Sequence, residues 1–447
     1  MSLNMANVQA QARARLDGLG GVAQARRYGR IVRANGEILH VSGVRAPVGA
    51  RCLIEGDSAS LPAEVVGFEA DGLLVMAEQG TRGIARGARV HVDATGTAPL
   101  VGEALLGRVL DGHGAPLDGL APPALTASWP LRGRPVNPMH RARIEEVFES
   151  GVRAIDALNT MGQGMRIGLF AGSGVGKTTL LGMMARNAKA DVVVVAMIGE
   201  RGREIREFIE DHLGAARSRC VVVASPADDT ALGRVHGAYR AAAMAEYFRA
   251  QGQNVLLVVD SLTRLAMALR EIGLAAGEPP AVKGYPPSAF GALSAYVERA
   301  GNGGPGQGSI TAIYTVLVEG DDHVGDPIAD TARAVLDGHI VLSRKLVEAA
   351  MYPPIDISAS LSRVMPGLIG EEHKALASRY RALWARRAEK QDIIDLGAYA
   401  PGRDKLLDEA LKRAPAMEDV IRQGVTEAAT YPQSLAALRT ALIEASS

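Results

Sequence analysis

Ala171-Gly-Ser-Gly-Val-Gly-Lys-Thr178 separates an apolar run from a helical segment in this 447-residue sequence, and it sets the fold class. The apolar run before it is Arg166–Ala171, and the helical segment after it is Thr178–Asn187. A glycine-rich turn between a strand and a helix, closed by Lys-Thr, is the pattern of a P-loop. The strict pattern has glycine where this chain has Ala171, which matters little if that residue ends the strand in β geometry. The stretch therefore predicts a phosphate-binding loop.

The loop also predicts which residues contact a nucleotide. Its glycines let backbone N–H groups turn toward phosphate oxygens, and the helix N-terminus adds its dipole. Lys177 supplies a positive charge for the β- and γ-phosphates, and the Thr178 hydroxyl is a ligand for Mg²⁺. ATP and Mg²⁺ are the expected cofactors. The expected nucleotide-binding residues of the loop and helix start are Gly172, Ser173, Gly174, Val175, Gly176, Lys177, Thr178 and Thr179.

Strand and helix patterns alternate around this loop. Near-continuous apolar runs are typical of parallel strands that are covered on both faces, and helical stretches separate most of them. This alternation predicts a doubly wound α/β core. The predicted strands are Arg166–Ala171, Val192–Ile198, Cys220–Ala224, Val255–Val259, Ile310–Val318 and Ile340–Leu342.

The flanking segments have different characters. In residues 28–97, short runs of Val, Ile and Leu alternate with turn residues about every ten positions, which predicts a small antiparallel β-barrel. Residues 98–150 form a Pro- and Gly-rich lead-in to a core that extends to 364. Residues 365–447 predict a C-terminal helical domain with breaks at Pro401-Gly402, Pro415 and Pro432. Residues 1–27 predict a loosely amphipathic helix, either a frayed terminus or a docking helix for a partner or membrane surface.

Two further strand ends carry candidate chemistry. Asp260 ends the run Asn254–Asp260, where an acid beside a P-loop can hold Mg²⁺ through water. The alternative is that Asp260 only caps the next helix. Glu200 and Arg201 follow the strand Val192–Ile198, where Glu200 can activate water and Arg201 can sense the γ-phosphate. The alternative is a surface charge cluster at the start of a helix.

Composition excludes several classes of protein. Lys and Arg number 49, and so do Asp and Glu, which argues against a protein that coats nucleic acid. The two cysteines lie far apart in sequence without ligand-spaced partners, which argues against a zinc site or a disulfide scaffold and fits a reducing cytosol. No apolar run reaches the roughly 20 residues of a membrane-spanning helix.

Several motifs together resemble the type III protein-export ATPases, which are related to the catalytic subunits of rotary ATP synthases. The resemblance covers nearly everything after residue 25 and is densest between 151 and 365. The motifs that carry it are Gly168-Leu-Phe-Ala-Gly-Ser-Gly-Val-Gly-Lys-Thr178, Ile198-Gly-Glu-Arg-Gly-Arg-Glu204, Gly284-Tyr-Pro-Pro-Ser288, Glu298-Arg-Ala-Gly301, Asp326-Pro-Ile-Ala-Asp330, Asp337-Gly-His-Ile-Val-Leu-Ser-Arg344 and Tyr352-Pro-Pro-Ile-Asp-Ile-Ser-Ala-Ser-Leu-Ser-Arg363.

The resemblance implies roles for individual residues. It implies that Glu200 polarises the attacking water and that Arg201 contacts the γ-phosphate. Lys177, predicted from the phosphate loop, is expected to be catalytic with them. It implies that Tyr352 stacks on adenine and that Arg363 is an arginine finger for a neighbouring subunit. The fold it implies is a RecA-like core with an N-terminal β-barrel and a C-terminal helical domain.

The resemblance also implies an assembly and a location. The expected assembly is a homohexamer, with a stator-like regulator at the N-terminus and a central-stalk protein and chaperone–substrate complexes at the C-terminal end. Its expected place is cytoplasmic, peripheral at the cytoplasmic face of the inner membrane, against the export gate. No nucleic-acid partner is expected.

Details favour the flagellar branch over the virulence branch. They are Ala171-Gly-Ser-Gly-Val-Gly176, Leu181-Gly-Met-Met-Ala-Arg186, Glu319-Gly-Asp-Asp322 and Leu396-Gly-Ala-Tyr-Ala-Pro-Gly402. The loop at His323 carries about one residue more than the family pattern. A virulence secretion ATPase and a rotary-synthase catalytic subunit are the alternatives, and the latter has Thr where this chain has Gly202. A non-catalytic ring subunit, which lacks the glutamate at 200, and a nucleic-acid translocase fit less well.

Overall fold

The short apolar runs of the N-terminal unit form a closed antiparallel barrel in the computed structural model, which describes residues 27–56, 59–69, 71–93, 98–318 and 325–443. The strand order is β1-β2-β5-β4-β3-β6, and β6 pairs with β1 to close it. Alternate residues point inward and form an apolar core that includes Val41, Ile54 and Val75. The strands are β1 (Gly29–Asn35), β2 (Ile38–Ser42), β3 (Arg51–Glu55), β4 (Ser60–Glu69), β5 (Gly72–Ala77) and β6 (Arg89–Val92).

The chain divides into two compact units, residues 1–96 and 97–447, and the second contains the large sheet. In the described part of that unit the order is β19-β18-β12-β17-β15-β13-β14-β8, with β16 beside β17. The strands from β18 to β8 are parallel, and β19 and β16 run antiparallel to their neighbours. The strands are β7 (Leu100–Val101), β8 (Val109–Asp111), β9 (Ala127–Ser128), β10 (Val147–Phe148), β11 (Met161–Gly162), β12 (Arg166–Ala171), β13 (Val192–Ile198), β14 (Cys220–Ser225), β15 (Val255–Asp260), β16 (Gly301–Asn302), β17 (Ser309–Leu317), β18 (Gly338–Leu342) and β19 (Ile355–Ser362).

Helices cover both faces of this sheet, so every residue of β13, β14 and β15 is buried. The helices are α1 (Arg153–Leu158), α2 (Lys177–Asn187), α3 (Gly202–Glu207), α4 (Ala231–Ala250), α5 (Leu262–Ala275), α6 (Pro287–Val297), α7 (Pro327–Val335), α8 (Arg344–Glu348), α9 (Met365–Leu368), α10 (Glu371–Glu389), α11 (Gln391–Asp395), α12 (Lys405–Ile421) and α13 (Tyr431–Leu442). Among the described residues, no helix combines the length and the apolar character that a membrane span requires.

The predicted fold class is confirmed: a RecA-like α/β core lies between an N-terminal β-barrel in sequence and C-terminal helices. The predicted limits at 27/28, 97/98 and 364/365 stay predictions. The predicted helix at 1–27 lies outside the described residues except for its last position, and the loop at His323 also falls outside them.

One predicted helix break is wrong. The C-terminal helix α12 continues through Pro415, although proline removes one backbone hydrogen bond at a cost of about 3 kcal/mol. The helix persists because Ala410, Met417 and Ile421 are buried against the other C-terminal helices and the core. In addition, the buried Tyr380 hydroxyl on α10 donates to the Met417 carbonyl at 2.7 Å. Tertiary packing therefore outweighs the local preference here.

A buried acid lies in α1, the short helix that leads into the core. Asp156 Oδ1 accepts from the Ser150 backbone N–H at 2.9 Å and from its hydroxyl at 2.6 Å, whereas the buried Oδ2 has no hydrogen-bond partner within the described ranges. Burial raises the pKa of Asp156 to about 7, against the effect of the Ser150 hydrogen bonds. The folded protein therefore favours the protonated form of this side chain.

Asp156→Asn should change how stability depends on pH. An unfolded aspartate has a pKa of about 3.9, so a raised folded-state pKa stabilises the protein at low pH. That contribution to the free energy of unfolding is lost as the pH rises from about 4 to about 7. Asparagine keeps an acceptor for Ser150 and does not ionise. The urea midpoint of the variant, relative to the unsubstituted protein, should therefore rise between about pH 4 and about pH 7 and level off above that.

Asp211→Asn, at an exposed residue, is the control for the aspartate-to-asparagine change itself. Parallel curves for the Asp156→Asn variant and the unsubstituted protein would contradict the buried neutral acid.

Candidate active site

The phosphate loop connects β12 to α2 through glycines in the left-handed region. Gly174 has a φ of +76° and Gly176 a φ of +88°, conformations that side chains other than glycine rarely adopt. Ala171 ends β12 in ordinary strand geometry, so alanine is tolerated there. Val175 is buried, and it can therefore contribute only its backbone to a phosphate. Ser173 and Gly174 are exposed at the tip of the loop.

Two buried acids meet the loop lysine. Lys177 Nζ donates to Asp260 Oδ1 at 2.6 Å and to Glu200 Oε1 at 3.1 Å. Asp260 ends β15 and Glu200 follows β13, and these strands are parallel neighbours with Met197 opposite Asp260. The carboxyl ends of parallel strands share one edge of a sheet, where open α/β folds bind ligands. The sheet therefore brings together three predicted site residues from distant parts of the chain.

A fourth residue, Thr315, belongs to this cluster and was not predicted. Strand β17 lies between β12 and β15, and its buried Thr315 hydroxyl donates to Asp260 Oδ1 at 2.6 Å. The signal in the sequence was a hydroxyl residue near the end of a mostly apolar strand. Only the strand order reveals that this strand passes between the lysine and the aspartate.

The charges of the cluster shift its pKa values. Burial raises the pKa of Glu200 and the negative charge of Asp260 raises it further, while Lys177 opposes both effects. Burial lowers the pKa of Lys177, but the charges of Asp260 and Glu200 more than offset it, so the pKa of Lys177 is raised. The lysine therefore stays an ammonium ion, and Glu200 takes up a proton at a higher pH than an exposed glutamate does.

The donors of the cluster fit Mg²⁺. This ion prefers oxygen ligands and keeps several of its waters, so one or two protein oxygens suffice. Asp260 accepts both of its hydrogen bonds through Oδ1, so Oδ2 takes part in neither. Thr178 is partly exposed in the first turn of α2, next to Lys177. The Thr178 hydroxyl and the Asp260 carboxylate are thus the protein oxygens that would hold Mg²⁺.

Two arginines lie near Glu200 in different environments. The Arg201 side chain is 82% exposed and lies 3.9 Å from Glu204, so it points into solvent. Arg264 on α5 was not predicted, but it packs against Gly199: a Cβ at Gly199 would lie 2.9 Å from that of Arg264. Its Nε is buried and has no hydrogen-bond partner among the described residues. The aliphatic part of the Arg264 side chain therefore packs against the residue that precedes Glu200.

Residues after β18 border the outer side of the phosphate loop. Arg344 Nη2 donates to the Ser173 carbonyl at 3.0 Å, and Pro354 Cδ would lie 4.0 Å from a Cβ at Gly176. Tyr352 lies two residues before this proline and is 48% exposed, and its carbonyl accepts from Gln423 N at 2.9 Å. An exposed aromatic ring is therefore close in sequence to a residue that touches the loop.

Arg363 does not join this cluster within one chain. It follows Ser362, which lies opposite Gly338, and Gly338 lies opposite Ile167 at the start of β12. The phosphate loop begins after Ala171, at the other end of the same strand. Arg363 is exposed at the edge of the sheet opposite to the site.

Comparison with known proteins agrees with this geometry. Residues 151–362 match the family model of the ATP synthase alpha/beta family, nucleotide-binding domain. Residues 369–440 match the T3SS EscN ATPase C-terminal domain. The core and the C-terminal helices thus define a nucleotide-binding ATPase of this broad class.

Individual relatives cover almost the whole chain. The flagellum-specific ATP synthase of Salmonella typhimurium is 54% identical over 92% of this chain and 93% of its own length. The type 3 secretion system ATPase of Xanthomonas euvesicatoria is 46% identical over 93% and 94%. The structure of the assembled ATPase EscN from the enteropathogenic E. coli type III secretion system has a TM-score of 0.87 at 41% identity, over 93% of this chain and all of that one. The chain therefore belongs to the family of flagellar and type III secretion ATPases, and it is an ATP hydrolase.

Thr315→Val should weaken the cluster around Asp260. The change removes a buried donor to a charged acceptor, with a stability cost of about 1–3 kcal/mol. It also loosens a side chain that is placed to position Mg²⁺, so the Mg²⁺ concentration for half-maximal ATP hydrolysis should rise about tenfold. A magnesium titration of the ATPase rate measures this effect.

Thr311→Val is the matched control. Thr311 is buried on the same strand, but its hydroxyl accepts from Gly164 N at the far end of the sheet. The control should lose stability and keep a normal magnesium requirement. An equal shift in both variants would mean that Thr315 only supports the fold.

Proposed function

We propose that this chain hydrolyses MgATP in a ring of identical subunits that energises type III protein export, most directly of flagellar components. The observation that carries the proposal is the buried group of Lys177, Glu200 and Asp260 at the carboxyl edge of the sheet. The relatives support the export role: some are named flagellum-specific ATP synthases and others type 3 secretion system ATPases.

The proposed mechanism begins with an exchange of partners at Lys177, whose ammonium is paired with Asp260 and Glu200. When a triphosphate enters, its charge draws Lys177 toward the β- and γ-phosphates, and both carboxylates are released. Asp260 and Thr178 would then hold Mg²⁺, whose charge stabilises the transferring phosphoryl group. Glu200 orients the attacking water and accepts its proton.

The loop residues Gly172–Thr179 are proposed to surround the phosphates, and three further residues have proposed roles around the nucleotide. Tyr352 stacks on the adenine. Arg201 reaches the γ-phosphate by rotation of its exposed side chain. The finger role of Arg363 requires a second subunit, since this residue lies at the opposite edge of its own sheet. ATP hydrolysis would therefore depend on assembly.

The proposed assembly is a homohexamer. Its support is the solved relative described as an assembled ATPase, and a second structure of that relative in complex with its central stalk, EscO. For this chain we propose a corresponding stalk partner and chaperone–substrate complexes at the C-terminal helices. We also propose a stator-like regulator at residues 1–27 and a peripheral place at the cytoplasmic face of the inner membrane, against the export gate. Virulence secretion is the second candidate, because the structural relative belongs to such a system.

Glu200→Gln should keep ATP binding and lose turnover. The amide is similar in size to the acid and cannot accept a proton, so the rate should fall by about 10²–10⁴-fold. Glu207→Gln, at an exposed residue of α3 paired with Arg203 at 3.2 Å, is the control and should remain active. Binding of a fluorescent ATP analogue and phosphate release measure the two effects. Turnover close to that of the unsubstituted protein in the Glu200→Gln variant would move the catalytic base elsewhere.

The same pair of variants tests the export role in cells. In a flagellated host without its own flagellar ATPase, the unsubstituted chain and the Glu207→Gln variant should restore secretion of flagellar proteins, and Glu200→Gln should not. Restoration only in a host that lacks a virulence secretion ATPase would favour the second candidate.

Mixing experiments test the shared site. Arg363→Ala alone should lose about 10³–10⁵-fold in rate, because it removes the guanidinium that faces the developing phosphoryl charge. Lys177→Ala alone should also be inactive. Rings mixed from both variants should recover activity, since an intact phosphate loop then meets an intact finger at some interfaces. Absence of recovery in rings shown to be mixed would contradict a finger that acts between subunits.

A further inference from the structure

The arginine finger and the phosphate loop of one chain lie at opposite ends of a single strand. Ile167, near the start of β12, is level with Gly338, which in turn lies opposite Ser362. From Ile167 to Ala171 the strand advances roughly 13 Å, at about 3.3 Å per residue. Strand β12 therefore leads into the phosphate loop at one end, and at its other end it is level with Ser362, the residue before Arg363.

The base of the finger is held by two carbonyl groups. The Arg363 backbone N–H donates to the Asp337 carbonyl at 3.0 Å. Its side-chain Nη2 donates to the Arg333 carbonyl at 3.0 Å, at the end of α7. Arg363 is exposed, so without these contacts its long side chain would sample many rotamers. The position of the guanidinium therefore depends on the placement of residues 333 and 337.

Asp337 is fastened to the first residue of β12. Its Oδ2 accepts from Arg166 N at 2.9 Å and from Arg166 Nε at 3.1 Å, and its Oδ1 accepts from Arg166 Nη2 at 3.2 Å. The Asp337 N–H donates back to the Arg166 carbonyl at 2.8 Å. A two-pronged arginine–carboxylate pair fixes direction as well as distance. Four hydrogen bonds thus connect Asp337, which binds the Arg363 backbone, to this strand.

A second tie reaches the other end of β12. The Arg333 guanidinium lies over the Phe170 ring, 4.9 Å from its centroid, and Phe170 is the residue before Ala171 at the end of the strand. His339 meets the same ring edge-on at 5.7 Å, and its Nε2 is 3.0 Å from the Ala359 carbonyl in β19, the strand that leads to the finger. Both supports of Arg363 are therefore packed on the strand of the phosphate loop.

We infer that Asp337 is a positioning residue for Arg363. Asp337 binds the Arg363 backbone and also binds Arg166, and so it connects Arg363 to β12, the strand that leads into the phosphate loop of the same subunit. The inference rests on the proposed finger role of Arg363. Asp337 touches no nucleotide: its effect is on the half-site that a subunit supplies to its neighbour. A substitution at Asp337 should therefore impair the arginine finger that a subunit supplies and leave the phosphate loop of that subunit intact, even though Asp337 is bonded to the phosphate-loop strand.

The test is ATP turnover of Asp337→Asn in rings of one kind and in mixed rings. Asparagine keeps the size of the side chain but cannot accept both guanidinium bonds, so the finger loses its fixed base. A misplaced catalytic group costs up to about 100-fold, so turnover should fall by about 10- to 100-fold while nucleotide binding stays unchanged. Rings mixed with Lys177→Ala should recover activity, since that partner supplies an intact finger. Rings mixed with Arg363→Ala should not, because both lesions are on the finger side.

Several outcomes overturn the inference. The first is an Asp337→Asn variant whose turnover is close to that of the unsubstituted protein. The second is recovery of activity when Asp337→Asn is mixed with Arg363→Ala. The third is no recovery when Asp337→Asn is mixed with Lys177→Ala, in conditions where Arg363→Ala mixed with Lys177→Ala does recover. A purely structural role would lower activity equally in both mixtures. If the Arg363→Ala and Lys177→Ala pair itself fails to recover in mixed rings, the finger between subunits is wrong, and this inference fails with it.

Two further variants make the result independent of folding. Arg166→Lys keeps one positive charge but loses the two-pronged bond, so it should reproduce the mixing pattern if Asp337→Asn does not fold. Asp191→Asn is the matched control. Asp191 Oδ2 also accepts a backbone N–H at the start of a strand, that of Asn254 at 2.8 Å. Neither of these two residues is hydrogen-bonded to Asp337 or Arg363. Asp191→Asn should hydrolyse ATP at the rate of the unsubstituted protein.

Discussion

A single ammonium ion shared between two buried carboxylates organises the active edge of this protein. Lys177 pairs with both Glu200 and Asp260 and so holds the two acids close together. The negative charge of Asp260 raises the pKa of Glu200, so the pair depends on the lysine. In the proposed mechanism, a ligand that competes for the lysine frees both acids together, so nucleotide entry would prepare the proposed catalytic groups.

The parallel sheet makes this charge cluster possible. Strands β12, β17, β15 and β13 lie in that spatial order, so their carboxyl ends bring the loop, Thr315, Asp260 and Glu200 to one edge. The antiparallel strand β19 runs the other way and delivers Arg363 to the opposite edge. Under the proposed mechanism, one chain would thus carry two incomplete half-sites at the two ends of its sheet. In the proposed ring, assembly is a requirement of the chemistry because the sheet of a single chain keeps its own finger and phosphate loop apart.

Gln423, just after α12, connects the C-terminal helices to the loop that carries Tyr352. The Gln423 backbone donates to the Tyr352 carbonyl, and its side chain accepts from Arg153 N at 2.7 Å and donates to the Gly151 carbonyl at 2.8 Å. The loop with the proposed adenine contact is therefore held between α1 and the end of α12. The end of α12 is thus hydrogen-bonded to the loop that carries Tyr352.

The sequence determined the fold class, the phosphate loop and the acids at the strand ends, because glycine torsions, apolar runs and strand-end carboxylates are local features. It did not determine that the chain passes through Pro415 as a helix, because the packing that outweighs the proline comes from other helices. It did not identify Thr315 or Arg264, whose relation to the site depends on strand order and on the packing of α5. The tertiary structure alone separated Arg363 from its own phosphate loop and joined it through Asp337 to Arg166, since that arrangement follows from the register of antiparallel β19 against β18.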